Sequence, residues 1–550
     1  MKTDFNRQEP ASRKGKYLEK KFTPLKILCL LTKSNAIYLL SFFLILSCSS
    51  LGLSGQEKGH SIPIHNYYEY TSLTPIKINR SDYSKFRRKI YKVYRKKINY
   101  IYRSKDHTIV LADKETILAF KTLRLSYEEV GKYPPFRYYV PDYQTRLKNG
   151  FRELSDLKTG YKDYKLNIKY LKALAKEYPN LVTYYDLGKT RLGRPIPAIR
   201  ITSPVENRNK ISVLFNGAHH SNELIGVEHC YDVIYHLLSD PEKYSEVLDR
   251  MNIWVIPIVN PDGSYLFWYK SLAMGRKNGY LAPGFTEDNY ARGIDLNRNY
   301  PFKWNSGHPK ASSGNPAHSF YRGPSPGSEP ETRALMALAE KERFLFSISF
   351  HSFATKLLFP YTIEDTTNPN PDYVQDLAKR LVKFTKSYHP VKRFEAVKNI
   401  YAVDGTDQDY FYYKFGTNAL LAESSHRNID YGNIGIIMDG FRPLWENLLN
   451  EYLQNVKMIL RVEDIEGYPL EASIRVEGFE YFEGEKFTTH PVTGYFFKML
   501  MEEKEYFVHI SSPGYKERVV KVLPGVGFEP KIVQLRKISD TTSDKNDETN

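Results

Sequence analysis

The sequence predicts an α/β domain followed by a small all-β domain. Over residues 157–456, short continuous apolar runs typical of buried strands alternate with amphipathic helical segments. Over residues 460–537, apolar residues recur with period two between turn signals, as in strands with one buried face. The chain has 550 residues, 41% of them hydrophobic, so we expect a large core, and a disordered protein is excluded.

The N-terminal residues predict export. A basic segment precedes an apolar stretch over residues 36–46, which is far shorter than the roughly 20 residues of a membrane span and is typical of a signal peptide. The stretch runs into Leu46-Ser47-Cys48, which resembles a bacterial lipobox. We therefore expect a signal peptide over 1–47, a lipid anchor on Cys48 and a tether over 49–74, in a bacterial cell-envelope lipoprotein at the periplasmic or outer surface. A plain signal peptide with secretion and an uncleaved anchor are the alternatives.

Part of the net charge of +16 lies between residues 85 and 105, where basic residues alternate with tyrosines. This pattern fits contact with nucleic acid or anionic lipid, and it also fits a solvated helix face. The near-helical spacing of Phe86, Ile90, Val93 and Ile101 favours the helix face, so no specific nucleic-acid partner is expected. The three cysteines are too few for a disulfide scaffold.

Individual elements follow from the same patterns. Residues 75–156 are predicted to form a small α+β region, with a strand over 108–111 and a helix over 114–123. Residues 538–550 are polar and are expected to form a disordered tail. The predicted helices and strands of the α/β domain are 164–178, 181–187, 196–201, 211–215, 224–238, 253–259 and 344–350.

Three residues are candidate ligands of one zinc ion. His220 and Glu223 follow the strand 211–215 where a loop enters a helix, so both side chains can face the same metal. His351 stands at the end of the last predicted strand, and strand ends are where α/β folds place active sites. Two imidazoles and one carboxylate, with a fourth position for water, are typical of a catalytic zinc site. The neighbouring His219 is expected to be an ordinary polar loop residue.

A second group of residues can bind an anion. Within residues 293–301, Asn297 and Arg298 offer an amide and a guanidinium fork, which suit a planar carboxylate. A structural ion pair is the alternative role for Arg298. Arg276 is a second fixed positive charge upstream.

Two further residues are candidates for the same site. Glu423 ends an apolar run, where a carboxylate is costly unless it is paired or functional. Beside a metal-bound water, it can act as a general base. Tyr401 begins a segment whose Gly405-Thr406 turn is typical of a loop that moves over a site, or of an ordinary surface turn.

In this order and context, the motifs resemble the M14 family of zinc metallocarboxypeptidases over roughly residues 157–456. The resemblance implies a mixed sheet flanked by helices, one zinc ion and removal of the C-terminal residue of a peptide. The implied site consists of the zinc ligands His220, Glu223 and His351, Arg276 on the scissile carbonyl, Asn297, Arg298 and Tyr401 on the substrate carboxylate, and Glu423 as the catalytic base.

Finer features resemble the regulatory (N/E) branch of that family. Asn222 completes the pattern HxNE, and Gln408 occupies the position that selects the released residue, where Gln is typical of the branch. Residues 457–537 resemble its transthyretin-like domain, and residues 75–156 resemble the prodomains of some zinc carboxypeptidases. Thr362 departs from the pattern, because the branch has an aspartate there that selects C-terminal Lys or Arg. A preference for basic residues therefore does not follow, although two acidic residues stand close by at 364 and 365.

The resemblance implies a monomeric, zinc-dependent exopeptidase that acts on the C-termini of peptides or proteins. The alternatives are a carboxypeptidase acting on cell-wall peptides and a lipid-anchored, non-catalytic binding protein on the same scaffold. A non-catalytic protein is expected to have lost a ligand or the base, and every such position is filled.

Overall fold

The computed structural model covers residues 74–538, and the positions in this range that it leaves undescribed are 96–97, 99, 104–105, 130–142, 206–209, 271–273, 288, 290, 388–392, 427 and 430. The predicted signal peptide, Cys48, residues 49–73 of the tether and residues 539–550 of the tail lie outside the described residues. Among the described residues, no helix combines the length and the apolar character needed to cross a membrane.

An N-terminal lobe forms a small α+β arrangement. Its elements are β1 (Thr74–Asn79), α1 (Arg80–Tyr94), β2 (Tyr100–Arg103), β3 (His107–Ala112), α2 (Lys114–Thr122) and β4 (Glu128–Glu129). The strands pair antiparallel in the order β2-β3-β1-β4. Ile76 and Ile78 of β1 pack with Phe86 and Ile90 of α1 and with Phe120 of α2. The predicted strand over 108–111 and the predicted helix over 114–123 are therefore present.

The basic stretch forms a helix face only in part. Within α1, Phe86 and Ile90 are buried as predicted. Val93, in the last turn, is 55% exposed, and Ile101 lies in β2 rather than in a helix. The prediction was wrong for these two residues because α1 ends at Tyr94, after which the backbone turns left-handed at Arg95 (φ 55°) and the chain enters a strand.

The α/β region is built on a mixed sheet of eight strands, in the order β11-β10-β12-β9-β7-β8-β6-β5. The central strands β12, β9, β7 and β8 pair in parallel, and antiparallel strands flank them. This sheet, with helices around it, confirms the predicted fold class. The strands are β5 (Val182–Lys189), β6 (Pro195–Ile201), β7 (Ile211–Gly217), β8 (Met251–Ile256), β9 (Phe346–His351), β10 (Lys356–Leu358), β11 (Glu395–Val397) and β12 (Asn418–Glu423).

The helices of this region begin and end close to the sequence signals. Asp163 caps the predicted helix over 164–178, because its carboxylate accepts the backbone N–H of Leu166 at 2.9 Å. The helices are α3 (Tyr143–Asn149), α4 (Tyr164–Glu177), α5 (Leu224–Ser239), α6 (Ser245–Arg250), α7 (Pro261–Tyr265), α8 (Pro330–Glu342), α9 (Tyr373–Leu381), α10 (Asp407–Phe415) and α11 (Ile434–Gln454). Short 3-10 turns occur at Leu154–Lys158, Leu296–Arg298 and Tyr431–Asn433, and a π-helical turn at Leu266–Lys270.

The start of α5 lies directly against the sheet. Gly226, in its first turn, faces the backbone of Phe350 in β9, and a Cβ at this position would collide with the Phe350 carbonyl oxygen. A Cβ on Gly217, at the end of β7, would lie 2.7 Å from the Gly226 carbonyl oxygen. Two glycines therefore let the helix approach both strands more closely than any other residue allows.

The C-terminal residues form two sheets that pack face to face. β13 (Lys457–Asp464) lies between β16 (Tyr495–Met499) and β19 (Lys531–Leu535), and the second sheet has the order β15-β14-β17-β18. Leu460 and Val462 of the first sheet share a core with Ile474, Val508 and Ile510 of the second. The strands of the second sheet are β14 (Ser473–Val476), β15 (Phe487–Thr488), β17 (Tyr506–Ser511) and β18 (Arg518–Val522). The predicted period-two alternation is present, since buried and exposed residues alternate along β14 and β17.

Replacing Gly226 with alanine is expected to destabilise the fold by about 1–3 kcal/mol, because the atom in the way is a backbone carbonyl that cannot rotate aside. Denaturant unfolding followed by circular dichroism measures this change. Gly435 is the matched control, since a Cβ there meets nothing within 4 Å and alanine is expected to stabilise its helix by about 0.5–1 kcal/mol. Equal effects of the two substitutions would contradict the close approach.

Candidate active site

The three predicted zinc ligands converge at the carboxyl edge of the sheet. Glu223 is the residue just before α5, His220 lies in the preceding loop, and His351 is the last residue of β9. His220 Nδ1 lies 2.8 Å from Glu223 Oε1, and His351 Nδ1 lies 3.0 Å from Glu223 Oε2. All three side chains are buried, and one ligand atom from each lies within 4.8 Å of the others.

The chemistry of this donor set fits a zinc ion. Two imidazole nitrogens and a carboxylate point at one another in a buried space, and in the described part of the chain no other cluster has this geometry. Burial opposes ionisation of Glu223, but the charges of His220 and His351 outweigh it and hold its pKa well below the usual value. The carboxylate is therefore ionised, as a metal ligand must be. Three protein ligands leave a fourth position of a tetrahedral site open.

Two asparagines hold the ligand loop in place. Asn428 accepts the backbone N–H of Leu224 at 3.0 Å and donates to the Asn222 carbonyl at 2.8 Å. Asn260 donates to the His219 carbonyl at 3.0 Å. The sequence reasoning assigned Asn428 no role, because it lies more than two hundred residues from the loop and no local motif marks it.

His219 is not an ordinary polar loop residue. It is fully buried, its Nε2 lies 2.9 Å from the Tyr300 hydroxyl, and its Nδ1 lies 3.4 Å from the Ser349 hydroxyl. Burial lowers the pKa of His219 to about 4, so the imidazole is neutral near pH 7. The prediction failed because a polar residue beside a metal ligand can face into the fold as easily as out of it.

Asp295 connects the metal ligands to the predicted oxyanion arginine. Its Oδ1 lies 3.0 Å from His220 Nε2, and its Oδ2 accepts a hydrogen bond from Arg276 at 2.6 Å. Burial opposes ionisation of Asp295, but Arg276 and His220 hold its pKa well below the usual value. The sequence reasoning gave Asp295 no role, although its place two residues before Asn297 was a signal that could have found it.

The anion-binding pair sits on the short turn Leu296–Arg298. Arg298 is buried and donates to the carbonyls of Asn297 at 2.7 Å and Ala311 at 2.9 Å, and to the Tyr401 hydroxyl at 3.4 Å. Among the described residues no carboxylate forms an ion pair with Arg298, so the structural ion pair is not found. Asp295 interacts with this buried guanidinium through space, but no described carboxylate lies in direct contact with it.

Glu423 lies beside the third ligand. It ends β12, which pairs in parallel with β9 so that Glu423 is in register with His351. Its Oε2 is buried and accepts no hydrogen bond from any described residue. Burial and repulsion from Glu223 raise the pKa of Glu423 to about 8. The sheet therefore places the Glu423 carboxyl group next to the predicted metal ligand His351.

The loop that carries Tyr401 and Gln408 contacts the anion-binding turn. Asn297 Oδ1 accepts the backbone N–H of Asp407 at 3.1 Å, and the Tyr401 ring, 38% exposed, stacks on Phe320 at 6.0 Å. Gln408 is buried, and neither atom of its amide has a partner among the described residues. The structure thus brings Tyr401 and Gln408 to the site that the sequence predicted.

The departure at Thr362 remains in the structure. Threonine is neutral, and the Thr362 hydroxyl donates to Asp409 Oδ2 at 2.6 Å. Glu364 and Asp365 are exposed, and Glu364 lies 3.3 Å from His308. These two carboxylates therefore lie at the surface, whereas position 362 is buried.

The fold and the ligand set define a zinc-peptidase type of site, and comparison with known proteins gives the family. The family model for zinc carboxypeptidases (peptidase M14) matches residues 167–456, and the chain belongs to this family. Metallocarboxypeptidase A of Trichophyton rubrum is 31% identical over 260 residues, which cover 46% of this chain and 60% of that protein. Mast cell carboxypeptidase A of Rattus norvegicus is 27% identical over 259 residues, with the same two coverages. The chain thus spans about 60% of the length of these curated relatives.

One solved structure is similar to part of this chain. The carboxypeptidase A of Helicoverpa armigera is 20% identical, with a TM-score of 0.47, over 69% of this chain and 96% of that one. Bound zinc is a property of the family, and His220, Glu223 and His351 form the group that can hold one ion here.

Zinc binding at pH 7 is expected to release about one proton more from the natural protein than from Glu423→Gln. The pKa of Glu423 without metal is about 8, so the group is mostly protonated at pH 7, and a nearby dication favours its ionised form. Isothermal calorimetry in buffers of different ionisation enthalpy counts the protons. Equal proton release from the two proteins would show that Glu423 is already ionised or lies too far from the metal.

Proposed function

We propose that this protein is a zinc-dependent exopeptidase that hydrolyses the C-terminal residue of peptides or proteins. The observation that carries the proposal is the buried Arg298, whose described hydrogen bonds go only to carbonyls and a hydroxyl and which lies in electrostatic reach of Asp295, the partner of the ligand His220. A buried guanidinium is costly unless an anion completes it, and a free peptide carboxylate is an anion of the right planar shape. An endopeptidase has no use for such a group at this place.

The metal, when bound by His220, Glu223 and His351, supplies a Lewis acid that acidifies a water molecule and polarises the scissile carbonyl. Glu423 accepts the proton of the attacking water at its free Oε2 and passes it to the leaving amine. Arg276 faces the oxygen of the same carbonyl and stabilises its developing negative charge.

The remaining residues orient the substrate and the catalytic groups. Asn297, Arg298 and Tyr401 bind the terminal carboxylate, which restricts cleavage to the last peptide bond. Asp295 bridges His220 and Arg276, so it keeps the ligand and the oxyanion group in a fixed relation. This arrangement supports turnover better than a non-catalytic binding role, since each proposed part of the machinery is filled.

We also propose the domain boundaries, the branch of the family and the export that the sequence predicts. The divisions at 75–156, 157–456 and 457–537 are supported by the change from α+β to α/β to all-β elements. Asn222 and Gln408 support membership of the regulatory branch, and the two packed sheets support a transthyretin-like C-terminal domain. The N-terminal sequence supports export, with Cys48 as a lipid anchor.

Replacing Glu423 with glutamine is expected to reduce turnover by roughly 10²–10⁴-fold, because the amide cannot accept the proton of water. Zinc stays bound, since Glu423 is not among the three ligands. Product release followed by mass spectrometry and metal content by atomic absorption check the two statements. Glu395→Gln, on the exposed edge strand of the same sheet, is the control and leaves turnover unchanged. Turnover by Glu423→Gln at the natural rate would contradict the assignment of the base.

Replacing Arg298 with glutamine is expected to lower kcat/KM for peptides with a free C-terminus. The expected loss of transition-state stabilisation is about 2–5 kcal/mol, because the carboxylate loses its buried partner. The matched substrates carry an amidated C-terminus, and on these the natural enzyme and the variant are expected to be equally poor. Steady-state kinetics on both peptide forms measures the difference. Equal kcat/KM values of variant and natural enzyme on the free acids would contradict the proposed role.

A further inference from the structure

We propose that the C-terminal β-sandwich positions the wall of the substrate site and thereby takes part in selecting the released residue. Two segments meet to do this: the sandwich loop, residues 477–486 between β14 and β15, and the wall segment, residues 360–372 of the α/β region. The inference rests on the proposed function, because it concerns which residue that function removes.

The central contact joins one buried side chain from each segment. The Tyr361 hydroxyl in the wall segment donates to Glu485 Oε1 in the sandwich loop at 2.6 Å. Tyr361 is fully buried and Glu485 is 7% exposed. Burial raises the pKa of Tyr361 well above its usual value, so the hydroxyl keeps its proton and remains a donor. The ring of Tyr361 stacks on Phe302 at 4.7 Å and meets Tyr412 edge-on at 5.1 Å, which leaves it little freedom to move.

Two further contacts hold the same pair of segments together. Glu483 of the sandwich loop accepts the backbone N–H of Thr367 in the wall segment at 2.9 Å. The same carboxylate also pairs with Lys303, outside the wall segment, at 2.7 Å. Asn370 and Glu480 exchange two backbone hydrogen bonds of 3.1 and 2.9 Å. The sandwich loop therefore holds the wall segment at three points along its length.

The residue after Tyr361 leads directly to the substrate site. Thr362 donates its backbone N–H to Asp409 Oδ1 at 2.9 Å and its hydroxyl to Asp409 Oδ2 at 2.6 Å. Asp409 adjoins Gln408, whose amide is buried without a partner. Asp407, on the other side of Gln408, donates its backbone N–H to Asn297 of the anion-binding pair. A short series of contacts thus runs from Glu485 of the sandwich to Asp409, one neighbour of Gln408, while the other neighbour, Asp407, contacts the anion-binding pair.

The contacts between Glu485 and Asp409 do not include the groups that are proposed to react. Among the described contacts, none joins the sandwich loop to the three zinc ligands or to Glu423. A change in the loop is therefore expected to alter the position of the wall and of Gln408, while the chemical step keeps its rate. An interdomain contact with a purely structural role would lower stability and leave the order of substrates unchanged.

The test compares Tyr361→Phe, which keeps the ring but removes the donor, with Glu485→Ala and Glu485→Gln in the full-length, zinc-loaded protein. The substrates are peptides that end in Lys, Arg, Phe, Leu or Glu. For Tyr361→Phe and Glu485→Ala, the ratios of kcat/KM between these substrates are expected to shift by roughly fivefold, the size of one lost hydrogen bond. The shift is expected in KM, with kcat on the best substrate retained, and Glu485→Gln, which keeps an acceptor, restores the natural ratios.

Glu471→Gln is the matched control. Its carboxylate lies 3.4 Å from Arg343 at another part of the same interdomain surface, and that contact does not lead to Gln408. This variant is expected to keep the natural ratios. Unchanged ratios in both Tyr361→Phe and Glu485→Ala, together with lower melting temperatures, would overturn the inference. If Tyr361→Phe fails to fold, the comparison of Glu485→Ala with Glu485→Gln decides.

The experiments distinguish a failure of the proposed positioning by the sandwich from a failure of the proposed exopeptidase function. If the natural protein releases no residue from any peptide, the proposed function fails. The same five peptides are then titrated into the zinc-loaded proteins by calorimetry. A changed order of affinities in Tyr361→Phe still supports positioning by the sandwich, and an unchanged order overturns it.

Discussion

The close approach of a helix to the central sheet is the constraint on which the site depends. Because Gly217 and Gly226 carry no side chains, the start of α5 lies against the backbone of β7 and β9. Glu223 therefore stands within hydrogen-bonding distance of both histidine ligands, one from its own loop and one from β9. The parallel register of β12 with β9 then places Glu423 beside His351. Metal ligands and base follow from strand ends at one edge of one sheet, as expected for α/β folds.

Two buried arginines near that edge of the sheet differ in their partners. The Asp295 carboxylate contacts both the predicted metal ligand His220 and the guanidinium of Arg276. One carboxylate therefore lowers the cost of burying both groups. Among the described residues, Arg298 donates only to carbonyls and a hydroxyl. Arg276 therefore has a carboxylate in direct contact, and we propose that Arg298 receives one from the substrate. This difference between two buried arginines is the electrostatic basis of the proposed exopeptidase activity.

The β-sandwich contributes to the same site from outside the sheet. Its own core, with residues such as Leu460 and Val508, gives it a structure independent of the catalytic groups. Its loop nevertheless reaches the wall segment through the Tyr361–Glu485 hydrogen bond, and Thr362 carries this contact on to Asp409. Position 362 is neutral, and with the proposed positioning of the wall we expect selection of the released residue to depend on shape and hydrogen bonding.

Periodicity and short motifs are local properties, so they were enough to predict the fold class, most strands and helices near the site, and the candidate catalytic residues. The predictions for Val93 and Ile101 were wrong because they depend on where a helix ends, and that for His219 because it depends on which way a loop faces. Only the tertiary structure could assign Asp295 its two partners, place Asn428 behind the ligand loop and join Glu485 to Tyr361. Each of these is a contact between residues far apart in the chain, and no local pattern records which distant side chain will complete a buried polar group.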